Sequence, residues 1–215
     1  MLVNERMSAP VITVEPDLPI MEALNLMKTN RIRRTPVVDK DGKLLGIISD
    51  KDLLDASPSD ATSLSVWEIN YLLSQIKVSE IMTKEVLTVS EDTPIEEVAR
   101  IMADNKIGGI PIMSEGSVVG LITETDLFKI FLELMGARVD GVRVTAMVPE
   151  RRGELALITQ AVAKAGGSFV SFTQFAGKSE ANREVVFKVR GLDEAQVIEQ
   201  VTPHVEQIID ARTCC

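Results

Sequence analysis

The chain contains an internal repeat. Residues 3–54 align with residues 78–128 after a single deletion. The two copies share identical residues along their whole length: Met7 and Met82, Asn30 and Asn105, Pro36 and Pro111, Gly46 and Gly120. Because a unit of about 50 residues buries too little surface to be stable alone, we expect the two copies to pack sheet against sheet as one domain.

Each copy predicts a short strand, a helix, two strands and a final helix. In the first copy, residues 11–14 favour a strand, and Asp17 with Pro19 is typical of a helix start. The helix is expected to reach about Asn30, with apolar residues at the spacing of one buried face: Ile20, Ala23, Leu24 and Met27. Two apolar strands follow, joined by the Asp-Gly turn of residues 39–42.

The composition limits the kinds of partner. The 215 residues are 45% hydrophobic and 26% charged, an ordinary balance for a soluble globular protein. A net charge of -9 and an aromatic content of only 4% disfavour a nucleic-acid partner. No apolar run approaches the roughly 20 residues that cross a bilayer, and the N-terminus lacks a signal-peptide core. We therefore expect a cytoplasmic protein without a membrane partner.

Residues for common catalytic and metal sites are scarce. His204 is the single histidine, and Cys214 and Cys215 end the chain, where we interpret them as a frayed tail. The sequence has no Ser/His/Asp or Cys/His set, no Walker-type loop and no Gly-x-Gly-x-x-Gly motif. We predict no enzymatic activity, no metal and no cofactor.

The repeated segments Gly46-Ile-Ile-Ser-Asp-Lys-Asp52 and Gly120-Leu-Ile-Thr-Glu-Thr-Asp126, together with the element order, resemble paired CBS domains, the Bateman module. The resemblance covers residues 1 to about 135. It implies a first CBS domain over residues 1–57, a linker helix over 58–77 and a second CBS domain over 78–135.

Ser49 and Asp52 follow an apolar strand and open a helix, as Thr123 and Asp126 do in the second copy. A hydroxyl and a carboxylate in this position can bind the phosphate and ribose of a nucleotide, or they can simply cap the helix. The resemblance implies contacts with an adenosine ligand, whose purine lies against the strand before the proline and the first strand. The candidates are Thr13, Arg33, Arg34, Pro36, Ser49 and Asp52 in the first copy, and Thr88, Ile107, Pro111, Thr123 and Asp126 in the second.

The two copies differ before the proline. The first has Arg31, Arg33 and Arg34, where the second has Lys106, Gly108 and Gly109. The arginines form either a phosphate clamp or a solvated turn paired with nearby acids. We predict that a first-copy site, composed of Thr13, Arg33, Arg34, Ser49 and Asp52, binds a polyanionic adenine nucleotide more tightly than the second.

Between the copies, residues 55–61 predict a loop and Ser65 with Glu68 a capping box. Trp67, Tyr71 and Ile76 lie at helical spacing. We expect this linker helix to pack on the module through them, the alternative being that Trp67 and Tyr71 cover a ligand.

The last third predicts the order β-α-β-β-α-β. Strands are expected at residues 142–148, 169–176, 184–189 and 205–211, with helices that carry Leu155, Ile158 and Val162 and that span residues 192–201. The segments Val-Pro-Glu-Arg-Arg-Gly-Glu-Leu at 148–155 and Ala-Gly-Gly-Ser-Phe-Val at 165–170 resemble an ACT domain, which implies a ferredoxin-like fold over residues 140–212. The resemblance makes Arg151, Arg152 and Gly153 candidates for binding an amino-acid-like carboxylate, the alternative being an exposed arginine pair.

The whole order resembles the acetoin utilisation protein B family of bacteria. That resemblance implies a mixed α/β (α+β) regulatory protein that senses an adenine nucleotide of the AMP, ADP or ATP type and is linked to acetoin or related carbon metabolism. A regulated metabolic enzyme is an expected partner. We also expect a homodimer, because a small ferredoxin-like sheet leaves edge strands uncovered and paired CBS modules tend to associate. The alternative is a structural or interaction subunit without bound nucleotide.

Overall fold

The computed structural model describes residues 1–56 and 66–214, and the chain divides into two compact units, Met1–Leu127 and Phe128–Cys215. The first unit contains both copies of the repeat. Its elements, in chain order, are α1 (Ile20–Asn30), β1 (Arg34–Val38), β2 (Leu44–Ser49), α2 (Asp50–Asp55), α3 (Val66–Gln75), α4 (Val78–Ile81), β3 (Val89–Ser90), α5 (Ile95–Asn105), β4 (Gly109–Ser114) and β5 (Ser117–Thr123). Helix α6 (Glu124–Leu134) begins directly after β5.

Helix α1 confirms the predicted helix and its apolar face. All four apolar residues of the predicted face are buried in one core cluster: Ile20, Ala23, Leu24 and Met27. The predicted cap is wrong, because Pro19 occupies the N-cap position and Asp17 instead pairs with Lys77 at 2.8 Å. The predicted first strand is also shorter than expected: of residues 11–14 only Val14 pairs with a strand, in a parallel bridge to Val37.

The two copies form small sheets. Strands β1 and β2 are antiparallel, and β3 pairs parallel with β4, which is antiparallel to β5. The predicted turn between β1 and β2 is confirmed: the Gly42 amide donates to the Asp39 carbonyl at 3.0 Å, and Gly42 has a φ of 80°. Glycine tolerates this left-handed conformation without a steric cost.

The copies interlock through the first residues of each copy. Ser8 and Leu121 exchange backbone hydrogen bonds of 2.9 and 3.2 Å, and Thr83 and Ile47 exchange two of 2.9 Å. Each pair joins the start of one copy to the last strand of the other. The copies therefore share one compact unit.

The linker packs on the first copy through Leu73 and, as predicted, through Ile76. Leu73 is buried in the core of the first copy and Ile76 packs against it, but Tyr71 is 67% exposed, so the predicted packing of Tyr71 is wrong. Ser65 and the side chain of Trp67 lie outside the described residues, as does most of the predicted 55–61 loop.

The second unit has the predicted order β-α-β-β-α-β. Its elements are β6 (Gly141–Pro149), α7 (Glu154–Lys164), β7 (Ser168–Ala176), β8 (Asn182–Arg190), α8 (Glu194–Val201) and β9 (Gln207–Cys214). The strands form one antiparallel sheet in the order β7-β8-β6-β9. Residues of both helices and of the inner strands share one core, among them Ile158, Val197 and Phe187.

Helix α7 carries Leu155, Ile158 and Val162, as predicted; Ile158 and Val162 are fully buried, and Leu155 is 36% exposed. One prediction for the second unit is wrong. Cys214 is not in a frayed tail, because it belongs to β9 and pairs with Gly141. Across the described residues, no helix combines the length and the apolar character that crossing a membrane requires.

Candidate functional site

A cleft of about 310 Å³ lies within the first unit and draws its walls from both copies of the repeat. The first copy contributes Arg34, Ile47, Ile48, Ser49 and Asp52, and the second copy contributes Thr83, Glu85, Val86, Leu87, Asn105, Ile107, Gly108 and Gly109. Apolar side chains and a few polar groups thus converge on one concave surface, as in small-molecule sites.

Ser49 and Asp52 are held at the edge of this cleft by a capping box. Ser49 ends β2 in an extended conformation, and α2 begins at the next residue. The Asp52 Oδ2 atom accepts hydrogen bonds from the Ser49 amide at 2.8 Å and from Ser49 Oγ at 2.7 Å. Within residues 1–56 and 66–214, Asp52 Oδ1 accepts no hydrogen bond. One carboxylate oxygen therefore caps the helix, and the other remains available for a ligand hydroxyl.

The second copy repeats this local geometry. The Asp126 Oδ2 atom accepts from the Thr123 amide at 3.1 Å and from Thr123 Oγ1 at 2.8 Å. The same four-residue pattern thus folds the same way twice, since it depends only on neighbours three residues apart.

The structure combines the predicted site residues differently from the prediction. Ser49 and Asp52 face a cleft that includes Ile107 of the second copy, whereas Thr13 and Arg33 do not line it. The pairing between the copies explains this arrangement. Because Thr83 pairs with Ile47, the residues that follow Thr83 lie beside Ser49 and Asp52 in the cleft. The cleft therefore combines Arg34, Ser49 and Asp52 of the predicted first-copy site with residues of the second copy.

Arg33 and Arg34, the two arginines before Pro36, have different surroundings. Arg33 Nη2 donates to Thr125 Oγ1 at 3.0 Å, beside the start of α6 in the second copy. Arg34 instead lines the cleft of Ser49 and Asp52. The predicted clamp of neighbouring arginines on one ligand is thus not assembled.

Arg34 lies against the two glycines at the corresponding positions of the second copy. A Cβ atom on Gly108 would overlap the Arg34 guanidinium, and one on Gly109 would lie 3.2 Å from Arg34 Cδ. Any side chain at residue 108 would occupy the position of the Arg34 guanidinium. The two glycines therefore make room for the arginine.

The remaining candidates lie away from the cleft or in the sheets. Pro36 and Pro111 are buried in β1 and β4, where they pair in register with Ile47 and Leu121. Thr88 is exposed and does not line the cleft.

Sequence reasoning missed Glu85, Leu87 and Asn105, which line the cleft. The available signal was the glycine that both copies have in the last strand, Gly46 and Gly120. A Cβ atom on Gly46 would lie 2.8 Å from the Thr83 carbonyl oxygen, so the glycine marks the place where the segment leading to Glu85 and Leu87 approaches the first copy. A glycine in a strand often marks such a close backbone approach.

A smaller cavity of about 200 Å³ lies at the start of α7 in the second unit. Gly153 lines it with a φ of 89°, but Arg152 is exposed and does not line it. Arg151 donates two hydrogen bonds, of 3.1 and 3.3 Å, to the carboxylate of Glu154, a residue only 6% exposed. The arginine predicted to bind a ligand carboxylate is therefore already paired with one from its own chain.

Comparison with known proteins identifies the first unit. The CBS domain family model matches residues 3–59 and 78–133. The CBS domain pair of protein MJ0100, in complex with 5′-methylthioadenosine and S-adenosyl-L-methionine, is 33% identical with a TM-score of 0.51, covering 61% of this chain and 95% of that one. CBSX2 in complex with AMP is 26% identical with a TM-score of 0.52, covering 62% of this chain and 97% of that one.

A Vibrio cholerae structure described as a putative acetoin utilization protein is 30% identical with a TM-score of 0.53, and the match covers 64% of this chain and 95% of that one. The family match falls on the two copies whose interlocking forms the cleft. The chain therefore belongs to the CBS domain family and carries a tandem CBS pair, the Bateman module.

Proposed function

We propose that the CBS pair binds an adenosine-type ligand in the cleft of Ser49 and Asp52 and acts as a regulatory sensor. The observation that carries this proposal is the Asp52 carboxylate, which caps α2 with Oδ2 and keeps Oδ1 for a ribose hydroxyl at a cleft of about 310 Å³. Two relatives bind adenosine compounds, 5′-methylthioadenosine with S-adenosyl-L-methionine in one and AMP in the other. CBS domain pairs are typically regulatory, and we propose no catalytic role.

We assign the ligand contacts to two positions related by the repeat. In the first, Arg34, Ser49 and Asp52 bind the sugar and its 5′ substituent, and Ile107 packs on the purine. In the second, Thr123 and Asp126 take the equivalent roles, with Arg33 nearby through Thr125. The strand segments around both positions supply the other candidates: Thr13, Pro36, Thr88 and Pro111.

Calorimetric titration with AMP, ADP and ATP tests this assignment. Asp52→Ala is expected to weaken binding at the first position by about 10- to 100-fold, the usual effect of losing a hydrogen bond to a charged group. Asp126→Ala is expected to affect only the second position. Asp41→Ala, an exposed turn residue, controls for the loss of one negative charge. A wild-type protein that binds none of the three nucleotides would refute the proposal.

The alternative is an interaction subunit whose CBS cleft takes no nucleotide. It is favoured by the capping boxes, in which Ser49 and Asp52 already satisfy each other. Thermal unfolding distinguishes the two functions, because a ligand that binds only the folded state raises the melting temperature by mass action. No shift with adenine nucleotides, S-adenosylmethionine or amino acids would support the alternative.

For the second unit we propose a ferredoxin-like ACT domain over residues 140–212. Its support is the antiparallel strand order β7-β8-β6-β9 with both helices packed in one core. Since Arg151 is paired with Glu154, we favour dimerisation over amino-acid sensing as its role. Sedimentation is expected to give twice the 23.5 kDa mass of the chain, and a monomer at micromolar concentration would exclude the homodimer.

We further propose a cytoplasmic role linked to acetoin or related carbon metabolism, exerted on a metabolic enzyme. The similarity to the Vibrio cholerae structure supports this link. We propose the boundaries 1–57, 58–77 and 78–135 as the division into first CBS domain, linker and second CBS domain. Growth of a deletion strain on acetoin as sole carbon source tests the pathway, and unimpaired growth would argue against it.

A further inference from the structure

We infer that Lys188 binds the end of helix α6 in the second unit and couples this unit to ligand binding at Asp126. The inference rests on the proposed function, which assigns a ligand contact to Asp126 in the first turn of α6. Helix α6 belongs to both compact units, because the boundary between them falls after Leu127, within the helix. A ligand at the start of α6 and the second unit at its end therefore act on one continuous element.

Lys188 is a buried lysine on the face of the sheet that lies away from α7 and α8. Its neighbours in β8, Phe187 and Val189, belong to the core shared with these helices, so the strand pleat turns Lys188 to the opposite face. Lys188 is nevertheless only 3% exposed. Burial of an ammonium group costs free energy unless its donors find acceptors, so the bonds that Lys188 makes decide whether this arrangement is stable.

The acceptors for Lys188 lie in the segment that follows α6. Lys188 Nζ donates to the carbonyl oxygens of Gly136 and Val139, both at 2.9 Å. Ser171 Oγ, in the neighbouring strand β7, donates to the Met135 carbonyl at 3.2 Å. In the described part of the chain, the Lys188 ammonium makes no ion pair with a carboxylate. Its charge is instead balanced by backbone carbonyls beside the C-terminal end of α6, a place that favours a cation.

The cap that ends α6 holds one of these carbonyls in place. Gly136 has a φ of 58°, and the Ala137 amide donates back to the Leu132 carbonyl at 2.9 Å, as in a typical C-terminal cap. A Cβ atom on Gly136 would lie 2.6 Å from Val170 Cγ1, so the cap packs closely on β7. Because this cap is built on the last turn of α6, unwinding of the helix would take the Gly136 carbonyl away from Lys188.

Helix α6 is short enough for its two ends to depend on each other. Its 11 residues are fewer than the roughly 12 to 15 that an isolated helix needs to be stable in water, and helix formation is cooperative. A ligand bound at Asp126 stabilises the helical form from the first turn, and Lys188 stabilises it from the last. Coupling between two sites is reciprocal, so the ligand strengthens the Lys188 contact and Lys188 raises the affinity for the ligand.

Acetylation of lysines with an amine-reactive ester, followed by peptide mass spectrometry on the full chain, tests this inference. A buried amine reacts only when its contacts open, so saturating AMP is expected to slow the acetylation of Lys188 by about fivefold or more, the size of ordinary coupling between two sites. Lys178, an exposed lysine of the same unit, is the internal control and should react at an unchanged rate. Asp126→Ala is expected to abolish the effect of AMP on Lys188, and Asp52→Ala to leave it intact.

Calorimetry on Lys188→Met gives the reciprocal test. In the Asp52→Ala background, which leaves the Asp126 position, the variant is expected to weaken AMP binding by about fivefold or more. In the Asp126→Ala background, AMP binding at the Asp52 position should stay unchanged. Lys178→Met is the matched control and should change neither affinity.

The outcomes separate the inference from the proposed function. If the wild-type protein binds no AMP, the proposed nucleotide function itself is wrong. If it binds AMP but the acetylation rate of Lys188 does not change, the adenosine site stands and the coupling is overturned. The same holds if Lys188→Met weakens binding at both positions equally or at neither. The acetylation measurement on the wild type needs no variant of Lys188, so it decides the question even if Lys188→Met does not fold.

Discussion

At the scale of single residues, Asp17 shows how a local prediction can be replaced by a distant partner. Its carboxylate accepts a 2.8 Å hydrogen bond from Lys77 Nζ instead of capping α1. The Lys77 hydrogen bond, followed by the charge of Lys77, lowers the pKa of Asp17 below its usual value. A residue that looks like a cap in sequence thus joins the first copy to the segment before α4.

We expect Lys77→Met to return the pKa of Asp17 to the ordinary carboxyl range, measured by NMR titration. A lowered folded-state pKa contributes stability above the ordinary carboxyl pKa, and this contribution is lost as the pH falls through the folded value. Because both side chains are exposed, the effect on stability is small and weakens with salt. The pKa of Glu97, lowered by its hydrogen bond to Arg100, should stay low in the same variant. An unchanged Asp17 titration would show that the pair does not form.

At the scale of elements, periodic patterns were predicted well and short strands poorly. The buried face of α1 followed from i, i+3, i+4 spacing, which a helix imposes locally. The strand at residues 11–14 was overestimated because a β-rich segment becomes a strand only where a partner runs beside it. Val14 alone has that partner, Val37.

Gly46 in β2 and Gly120 in β5 occupy matching positions, so the stability cost of an alanine can be compared between the two copies. A Cβ atom on Gly46 would lie 2.8 Å from the Thr83 backbone oxygen, whereas one on Gly120 would meet the flexible side chain of Met7. We expect Gly46→Ala to lower the free energy of unfolding by about 2–3 kcal/mol, and Gly120→Ala by about 1 kcal/mol or less. Urea unfolding of both variants measures the difference. Equal losses would mean that the Thr83 backbone can shift.

At the scale of the whole molecule, the interlocked copies decide where a ligand binds. The cleft depends on four regions of the chain, near Arg34, Ser49, Leu87 and Ile107. A bound ligand should therefore protect these regions together.

We expect saturating AMP to slow amide hydrogen exchange in residues 46–55, 83–87 and 105–111, because a ligand that binds the folded state suppresses local opening around its site. Exchange measured by mass spectrometry with and without AMP provides the test. Asp52→Ala at the same AMP concentration should largely remove the protection. Protection confined to residues 141–214 would contradict binding in the CBS pair.

The repeat, the helices and the order of elements in both units were determined by the sequence itself, because these features depend on neighbours a few residues apart. The capping box of Ser49 with Asp52 and the matching hydrogen bonds from Thr123 to Asp126 belong to the same class. Their geometry needs only one turn of chain.

Only the tertiary structure decided which residues share a cleft. The pairing of Ser8 with Leu121 and of Thr83 with Ile47 joins segments far apart in the chain, and backbone hydrogen bonds of this kind require no particular side chains. For the same reason, the sequence could not predict that the side chains of Arg33 and Arg34 contact different parts of the first unit. The direction of each side chain depends on the strand pleat and on the space that Gly108 and Gly109 leave for the Arg34 side chain.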